Sequence, residues 1–531
     1  MCLNLFVPYQ KDLARRGFGR RLLGLLGPSW ASAPVRRAVQ VLALAAFLVL
    51  LLYVGMPAGP TRMADELAAR ERVEAESFLR LDPLVAVSAA VAGRTWVPAL
   101  IWVAVLLAVC LVLPRMFCGY VCPLGTMIDL FDWAIGGRLK FLHLRRRGWW
   151  VNLRYVLLGA ALVAAAGGWL VSGYVAAIPV VTRGVAFAIG PLRSAWAESP
   201  RPGSWSLEHA LGVGVFAAVL VLGVLGGRFW CRCLCPSGAL LSVWSALRLA
   251  GRHVTSACVS CGRCQKACSF DAIKDDYSTR AADCTFCQEC GGTCPVAAIR
   301  FAGRLAGSAD KRAAEAPAAG AVLTRRVVLA GGLSAAAVSL GAGSGLLSRK
   351  AGTKVIRPPG ALPEDRFLDT CVRCGQCIHS CPTGLLGPVG LSGGLTGLWT
   401  PRARTELAAC DPTCNVCGQV CPTGAIRALP LPEKRKAQMG LAAVDRETCL
   451  AWRGEVCGLC VITCRAAGYE AMVEDIQFDE MGMPIEGSVP TPIVLPDRCV
   501  GCGLCQQTCL TKNVRELKKL ATEAIKVRPR G

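Results

Sequence analysis

The chain has 531 residues, long enough for several domains. Its hydrophobic share of 53% and mean hydropathy of +0.44 set it apart from ordinary soluble enzymes and point to membrane segments. The net charge of +23 does not signal a nucleic-acid partner, because the arginines gather beside apolar runs, as at cytoplasmic membrane flanks.

In chain order, residues 1–37 form a basic tail carrying Lys11, Arg15, Arg16, Arg20, Arg21, Arg36 and Arg37 beside one acid, Asp12. Residues 38–250 read as a membrane domain of four helices, over about Val39–Val54, Trp96–Leu113, Val151–Val171 and Leu211–Leu225. Each run approaches the ~20 residues that cross ~30 Å of hydrocarbon. The second connection is basic (Arg115, Arg138, Lys140, Arg145, Arg146, Arg147), whereas the first mixes arginine with Asp65, Glu66, Glu71, Glu74, Glu76 and Asp82. The positive-inside rule then puts the N-terminus, and the chain after four crossings, in the cytoplasm.

Two motifs at the ends of these helices are copies of each other, "RMFCGYVCPLG" and "RFWCRCLCPSG". They contribute Cys118, Cys122, Cys231 and Cys235, with Cys233 extra in the second copy. Four thiols brought together would suit a seventh metal centre; a redox-active disulfide and a purely structural role at the helix ends are the other readings.

Residues 251–303 carry two cysteine quartets, Cys258, Cys261, Cys264 and Cys268, then Cys284, Cys287, Cys290 and Cys294. Both are C-x2-C-x2-C-x3-C. Three thiolates on one tight loop grip three corners of a 4Fe–4S cube, and the fourth departs to the other cluster of a pair. Structural zinc instead pairs two knuckles, and disulfides do not suit the reducing side. The exchange rule assigns Cys294 to the first triplet and Cys268 to the second.

A linker at 304–323 leads to "TRRVVLAGGLSAAAVSLGAG", within 324–347, which reads as a twin-arginine (Tat-like) export signal serving as a fifth membrane helix. A plain helix flanked by Arg325 and Arg326 gives the same topology. Residues 348–531 would then be periplasmic, and they hold four more quartets. These are Cys371, Cys374, Cys377 and Cys381; Cys410, Cys414, Cys417 and Cys421; Cys449, Cys457, Cys460 and Cys464; and Cys499, Cys502, Cys505 and Cys509. The first gap widens to three residues in the second of these and to seven in the third. Spacing leaves open whether the four motifs exchange ligands as neighbours or nest, first with last. The expected fold is an α-helical membrane bundle of about five helices plus α+β ferredoxin-like 4Fe–4S domains, one small βαββαβ unit per motif pair. The Gly/Pro-rich stretches 387–400 and 479–496 read as loops between motifs.

The first ~300 residues resemble the NosR/NapH family, with four helices, two CxxxCP motifs and two 4Fe–4S motifs. From about 324 onward the chain resembles NapG/MauM, including the stretched "CLAWRGEVCGLCVITC". The whole looks like a fusion of the two. The resemblance implies an inner-membrane quinol dehydrogenase module, drawing on the quinone pool and feeding a periplasmic reductase of the nitrate-reductase type or a cytochrome. No C-x-x-C-H haem site or dinucleotide fingerprint is present. His143, His209, His253 and His379 are scattered and read as structural.

Six 4Fe–4S clusters on two sides of ~30 Å of hydrocarbon need a carrier between them. Quinol and a seventh centre are the candidates, and a cytoplasmic donor is the other source of electrons. The CxxxCP core also resembles assembly factors that reduce metal during maturation of a respiratory enzyme, which is the alternative function.

Overall fold

The computed structural model describes residues 33–55, 76–136, 149–196, 206–303, 355–475 and 489–530. The linker, the Tat-like run, His143 and most of the basic tail lie outside them. The chain divides into two units, one of residues 1–50, 77–184 and 213–344, the other of 51–76, 185–212 and 345–531.

The first unit is built on apolar helices: α1 Pro34–Gly55, α2 Pro83–Gly93, α3 Ala99–Val112, α4 Pro123–Ala134, α5 Leu153–Ala166, α6 Ala177–Trp196, α7 Leu207–Val221 and α8 Pro236–Trp244. The unit boundary falls inside α1, and the second unit takes most of α6 and the first turns of α7. Proline opens α1, α2, α4 and α8, where its missing N–H costs nothing and its fixed φ starts the turn. Among the described residues, two helices are long and apolar enough to cross a membrane, α1 and α7 with its 3-10 continuation to Leu225.

The expected second and third spans are shorter than their apolar runs. Helix α3 has 14 residues, starting after Pro98, and α5 has 14, ending at Gly167 and followed by Gly168 at φ 84°. Two apolar helices also fill stretches read as connections. Helix α2 lies in the acid-bearing first loop, and its N-cap Asp82 accepts from the Leu84 N–H at 3.1 Å. Helix α6 follows α5, its hydropathy masked by Arg183 and Pro191. Asp82 is fully buried and also accepts from Ile178 N at 3.3 Å and Ser237 Oγ at 3.2 Å. The start of α2 is thereby tied to the starts of α6 and α8.

After α8 the chain enters an antiparallel pair, β1 Ala250–Val254 with β2 Ile299–Gly303, that encloses both inner quartets. A single bridge, Ile273 to Thr279, stands between the motifs. Phe286 and Phe301 meet edge to face at 5.1 Å in this core.

The second unit repeats the plan twice. In its first motif pair the enclosing strands shrink to one bridge, Ala361 to Ile426. The inner strands are full there, β3 Leu386–Pro388 against β4 Pro401–Ala403. In its last pair both are present, β5 Leu441–Val444 with β8 Ile525–Arg528 and β6 Met472–Asp475 with β7 Thr491–Val494. The βαββαβ expectation is complete there and abbreviated elsewhere. The 387–400 stretch is the ordered return between β3 and β4, and Val54 of α1 belongs to the first pair's core with Phe367 and Ile426.

Candidate iron–sulfur sites

Three of the four triplets with standard spacing share one backbone device. The residue after the middle cysteine is a glycine with left-handed φ: Gly262 at 71°, Gly375 at 77° and Gly503 at 83°. Without a Cβ, the chain can curl there so that three thiols face one space. Gln288 takes the same conformation in the second inner motif, at 61°. The widened motifs do not use it: Asn415 stands at φ −132° and Gly458 at −115°. In the third outer motif the extra residues make a 3-10 turn, Ala451–Arg453, closed by Gly454 at 88°.

Three cavities show which thiols converge. One is lined by Cys284, Cys287, Cys290 and Cys268, the exchange expected for the inner pair. Another is lined by Cys371, Cys374, Cys377 and Cys421, and a third by Cys499, Cys502, Cys505 and Cys464. Cys381 lies within electrostatic range of Cys410, Cys414 and Cys417, and Cys509 within range of Cys449. The four outer motifs therefore exchange as neighbours and do not nest. Cys258, Cys264 and Cys294 share one core, while Cys261 is exposed.

The departing fourth cysteines receive backbone N–H groups. Ala272 donates to Cys268 Sγ at 3.2 Å, Ala298 to Cys294 at 3.3 Å, Ile426 to Cys421 at 3.4 Å and Ala524 to Cys509 at 3.4 Å. Asn513 Nδ2 adds a side-chain donor to Cys457 at 3.7 Å and Cys509 at 3.8 Å. Burial pushes the Cys268, Cys414 and Cys502 thiols up to about 12. Buried thiolates clustered this way need a cation to hold them, which an iron–sulfur core supplies. Spacing, donors and enclosure all fit four-iron clusters.

The CxxxCP copies fold alike. Each runs through a π-turn, Phe117–Val121 or Trp230–Leu234, into a cysteine that starts a helix before proline. Arg115 and Arg228, three residues before the first cysteine of each copy, take left-handed φ of 52° and 50°. Cys118, Cys122, Cys231 and Cys235 are mutual electrostatic neighbours. Burial pushes Cys231 up to about 12 and Cys122 and Cys235 higher, with the neighbouring thiolates adding. Among the described residues every cysteine is a free thiol. The residues suit a metal centre here as in the quartets: four thiols, two buried and two half-buried, lie within electrostatic range of one another, and Gly238 N–H donates to Cys235 Sγ at 3.3 Å.

The flanking arginines hold more than a membrane flank would. Arg228 Nε reaches Asp129 Oδ1 at 2.5 Å, and its Nη1 donates to the Cys118 carbonyl at 2.8 Å. Arg37 Nη1 meets Asp129 Oδ2 at 2.6 Å and Arg36 Nη2 at 3.1 Å, and both arginines bind Glu289, between Cys287 and Cys290. Burial alone would push the Asp129 carboxyl up, but Arg228, Arg36 and Arg37 hold it well below the usual carboxylate range. Arg154 meets Asp283 at 2.5 Å. The sequence reads Arg36, Arg37 and Arg115 as membrane flanks, and all three are buried in the structure. Arg36 and Arg37 pair with distant acids, which a one-dimensional pattern does not show.

Of the described histidines, His379 donates from Nε2 to the Leu51 carbonyl at 3.2 Å and is buried. His209 Nδ1 meets Ser206 Oγ at 2.8 Å, and His253 is buried in β1. None faces a cysteine set in these contacts.

Comparison with known proteins agrees with this chemistry. A family model described as a 4Fe–4S binding domain matches twice, at residues 95–141 and 208–253, each match holding one CxxxCP copy. The methylamine utilization ferredoxin-type protein MauM of Methylorubrum extorquens is 37% identical over 215 residues, covering 39% of this chain and 90% of that protein. The ferredoxin-type protein NapG of Escherichia coli is 35% identical over 202 residues, covering 38% and 80%. MauM of Paracoccus denitrificans is 37% identical over 179 residues, covering 33% and 72%. No solved structure matches.

Proposed function

The chain belongs to the MauM/NapG family of ferredoxin-type iron–sulfur electron-transfer proteins, and from that premise we propose a membrane-bound relay for quinol-derived electrons. In this reading the six cysteine sets hold six 4Fe–4S clusters, and Cys118, Cys122, Cys231 and Cys235 hold a seventh. The clusters supply one-electron storage at potentials set by burial and by hydrogen bonds to sulfur. The chain's own residues fix where those electrons can go. Backbone N–H groups and Asn513 stabilise the sulfurs, and the Asp129 network keeps the inner pair fastened to the apolar helices.

The observation that carries the reading is that network. Arg36 and Arg37 open an apolar helix long enough to cross a membrane, and they bind Glu289 inside a cluster loop. A ferredoxin domain held by buried ions is a fixed station and not a diffusing shuttle. Exposed apolar side chains along the helices, among them Leu42, Val49, Ile101, Trp102 and Val105, suit a lipid environment. The inner pair belongs on the cytoplasmic face and residues 348–531 in the periplasm, delivering to a reductase or cytochrome there.

The test is quinol oxidation by the purified protein, followed by optical bleaching of the clusters with and without a periplasmic acceptor. Bleaching by quinol and recovery on adding acceptor is the expected result. Clusters that no quinol reduces would remove the quinol-dehydrogenase reading.

A further inference from the structure

The two CxxxCP copies are not equivalent in charge. Arg228, from the second copy, lies against the first copy's Gly125 and Cys118 carbonyl and is neutralised by Asp129. Arg115, from the first copy, lies against the second copy's Gly238. The residue matching Asp129 there is Ser242, which spends its hydroxyl on the Gly238 carbonyl at 2.9 Å. Arg115 is 1% exposed. Its Nη1 donates to the Ala282 and Asp283 carbonyls at 3.0 and 3.4 Å, but its Nε and Nη2 have no partner among the described residues. A buried guanidinium facing no carboxylate is costly unless something anionic completes it.

The thiols of the second copy lie on the same side. A Cβ built on Gly238 would stand 3.3 Å from Arg115 Nη2 and 3.6 Å from Cys235 Sγ, so both atoms border the position that this glycine leaves open. Arg115 also lies within electrostatic range of Cys231. Four thiolates around an iron–sulfur core carry net negative charge, and N–H donors to sulfur favour the reduced form.

Resting on the four-thiol centre proposed above, we infer that Arg115 is its charge-compensating partner, donating from Nη2 toward the sulfurs of the second copy and raising the reduction potential of this one centre. Arg228, the other arginine beside these thiols, is already paired with Asp129. Arg115 is a positioning and tuning residue; it ligates nothing. Phe270 lies under both guanidinium groups, 5.8 Å from Arg115 and 4.6 Å from Arg228. The same ring lines the cavity of Cys268 and Cys284. The potential set by Arg115 therefore governs a centre adjoining the inner pair.

The experiment is a redox titration of the full-length protein in detergent, with iron counted in parallel. The signal of this centre is assigned by its loss in Cys122→Ser. Arg115→Gln is expected to keep about 28 irons per chain and to lower the reduced-to-oxidised ratio at fixed ambient potential about tenfold, or ~59 mV for one electron. Arg115→Lys, which keeps the charge, is expected to stay within about twofold of the unmodified protein on the same scale. A full iron complement with an unmoved potential in Arg115→Gln overturns the role of Arg115 alone, as does an equal shift in Arg115→Lys. About 24 irons in the unmodified protein overturns the four-thiol centre itself, and the inference with it. Should Arg115→Gln lose its iron, Gly238→Ala is read instead, since its methyl would stand 3.3 Å from Nη2 and press on the guanidinium. A lowered potential there supports the inference and an unchanged one overturns it.

Discussion

The inner cluster pair and the last outer pair have the same strand plan but are secured by different forces. The inner pair is anchored through buried charge, with Glu289 and Asp283 gripped by Arg36, Arg37 and Arg154. The last outer pair has a full set of strands and an apolar core of Ala442, Val461, Met472 and Ile525. Its ion pairs, Lys519 with Glu455 and Lys512 with Glu516, are about half exposed. Where a domain must sit at a set place beside apolar helices, buried ions give direction that apolar packing lacks. Where it needs only to stay folded, strands and core suffice.

The largest effect expected from breaking either pair is loss of a fourth ligand. Cys464→Ser should cost about four irons, from the set of Cys499, Cys502 and Cys505, and Cys268→Ser about four from the set of Cys284. Iron analysis with protease mapping separates them. The outer variant should open its pair to protease, while the inner one stays docked by its ions.

Removing the docking itself comes next. Glu289→Ala leaves Arg36 and Arg37 short of a counter-charge in a buried site, an effect of about 3–5 kcal/mol. Thermal unfolding in detergent should show the inner pair melting early, with the outer transitions unmoved. Asn513→Ala removes a donor shared by Cys457 and Cys509, worth about 1 kcal/mol, and should lower the potential of that centre alone in a redox titration. Lys519→Ala is the smallest. An exposed pair contributes ~0–1 kcal/mol, so the melting curve should hardly change, and a large fall would mean that the outer pair also depends on ions.

Much of this was legible in the sequence. The quartets mark themselves by spacing, and the duplicated motif announces a shared site before any coordinates do. Neighbour exchange in the outer motifs was not legible, because the spacings allow either wiring and only the convergence of the thiols in space decides. Helix α2 was hidden in a loop whose acids outweighed a mostly apolar run of 11 residues, and α6 behind Arg183. The buried pairing of Arg36 and Arg37 was not legible for a physical reason. Flank charge and buried ion-pair charge look alike until the partner is known, and Asp129 and Glu289 lie 92 and 252 residues from Arg37.

The crossed arginines of the CxxxCP copies carry a consequence for symmetry. Arg228 secures the loop of the first copy, and Arg115 leans on the second. A single copy could receive such an arginine only from a second molecule related by a two-fold axis, so one chain here supplies both halves of an exchange. The two halves differ where Asp129 of one stands against Ser242 of the other.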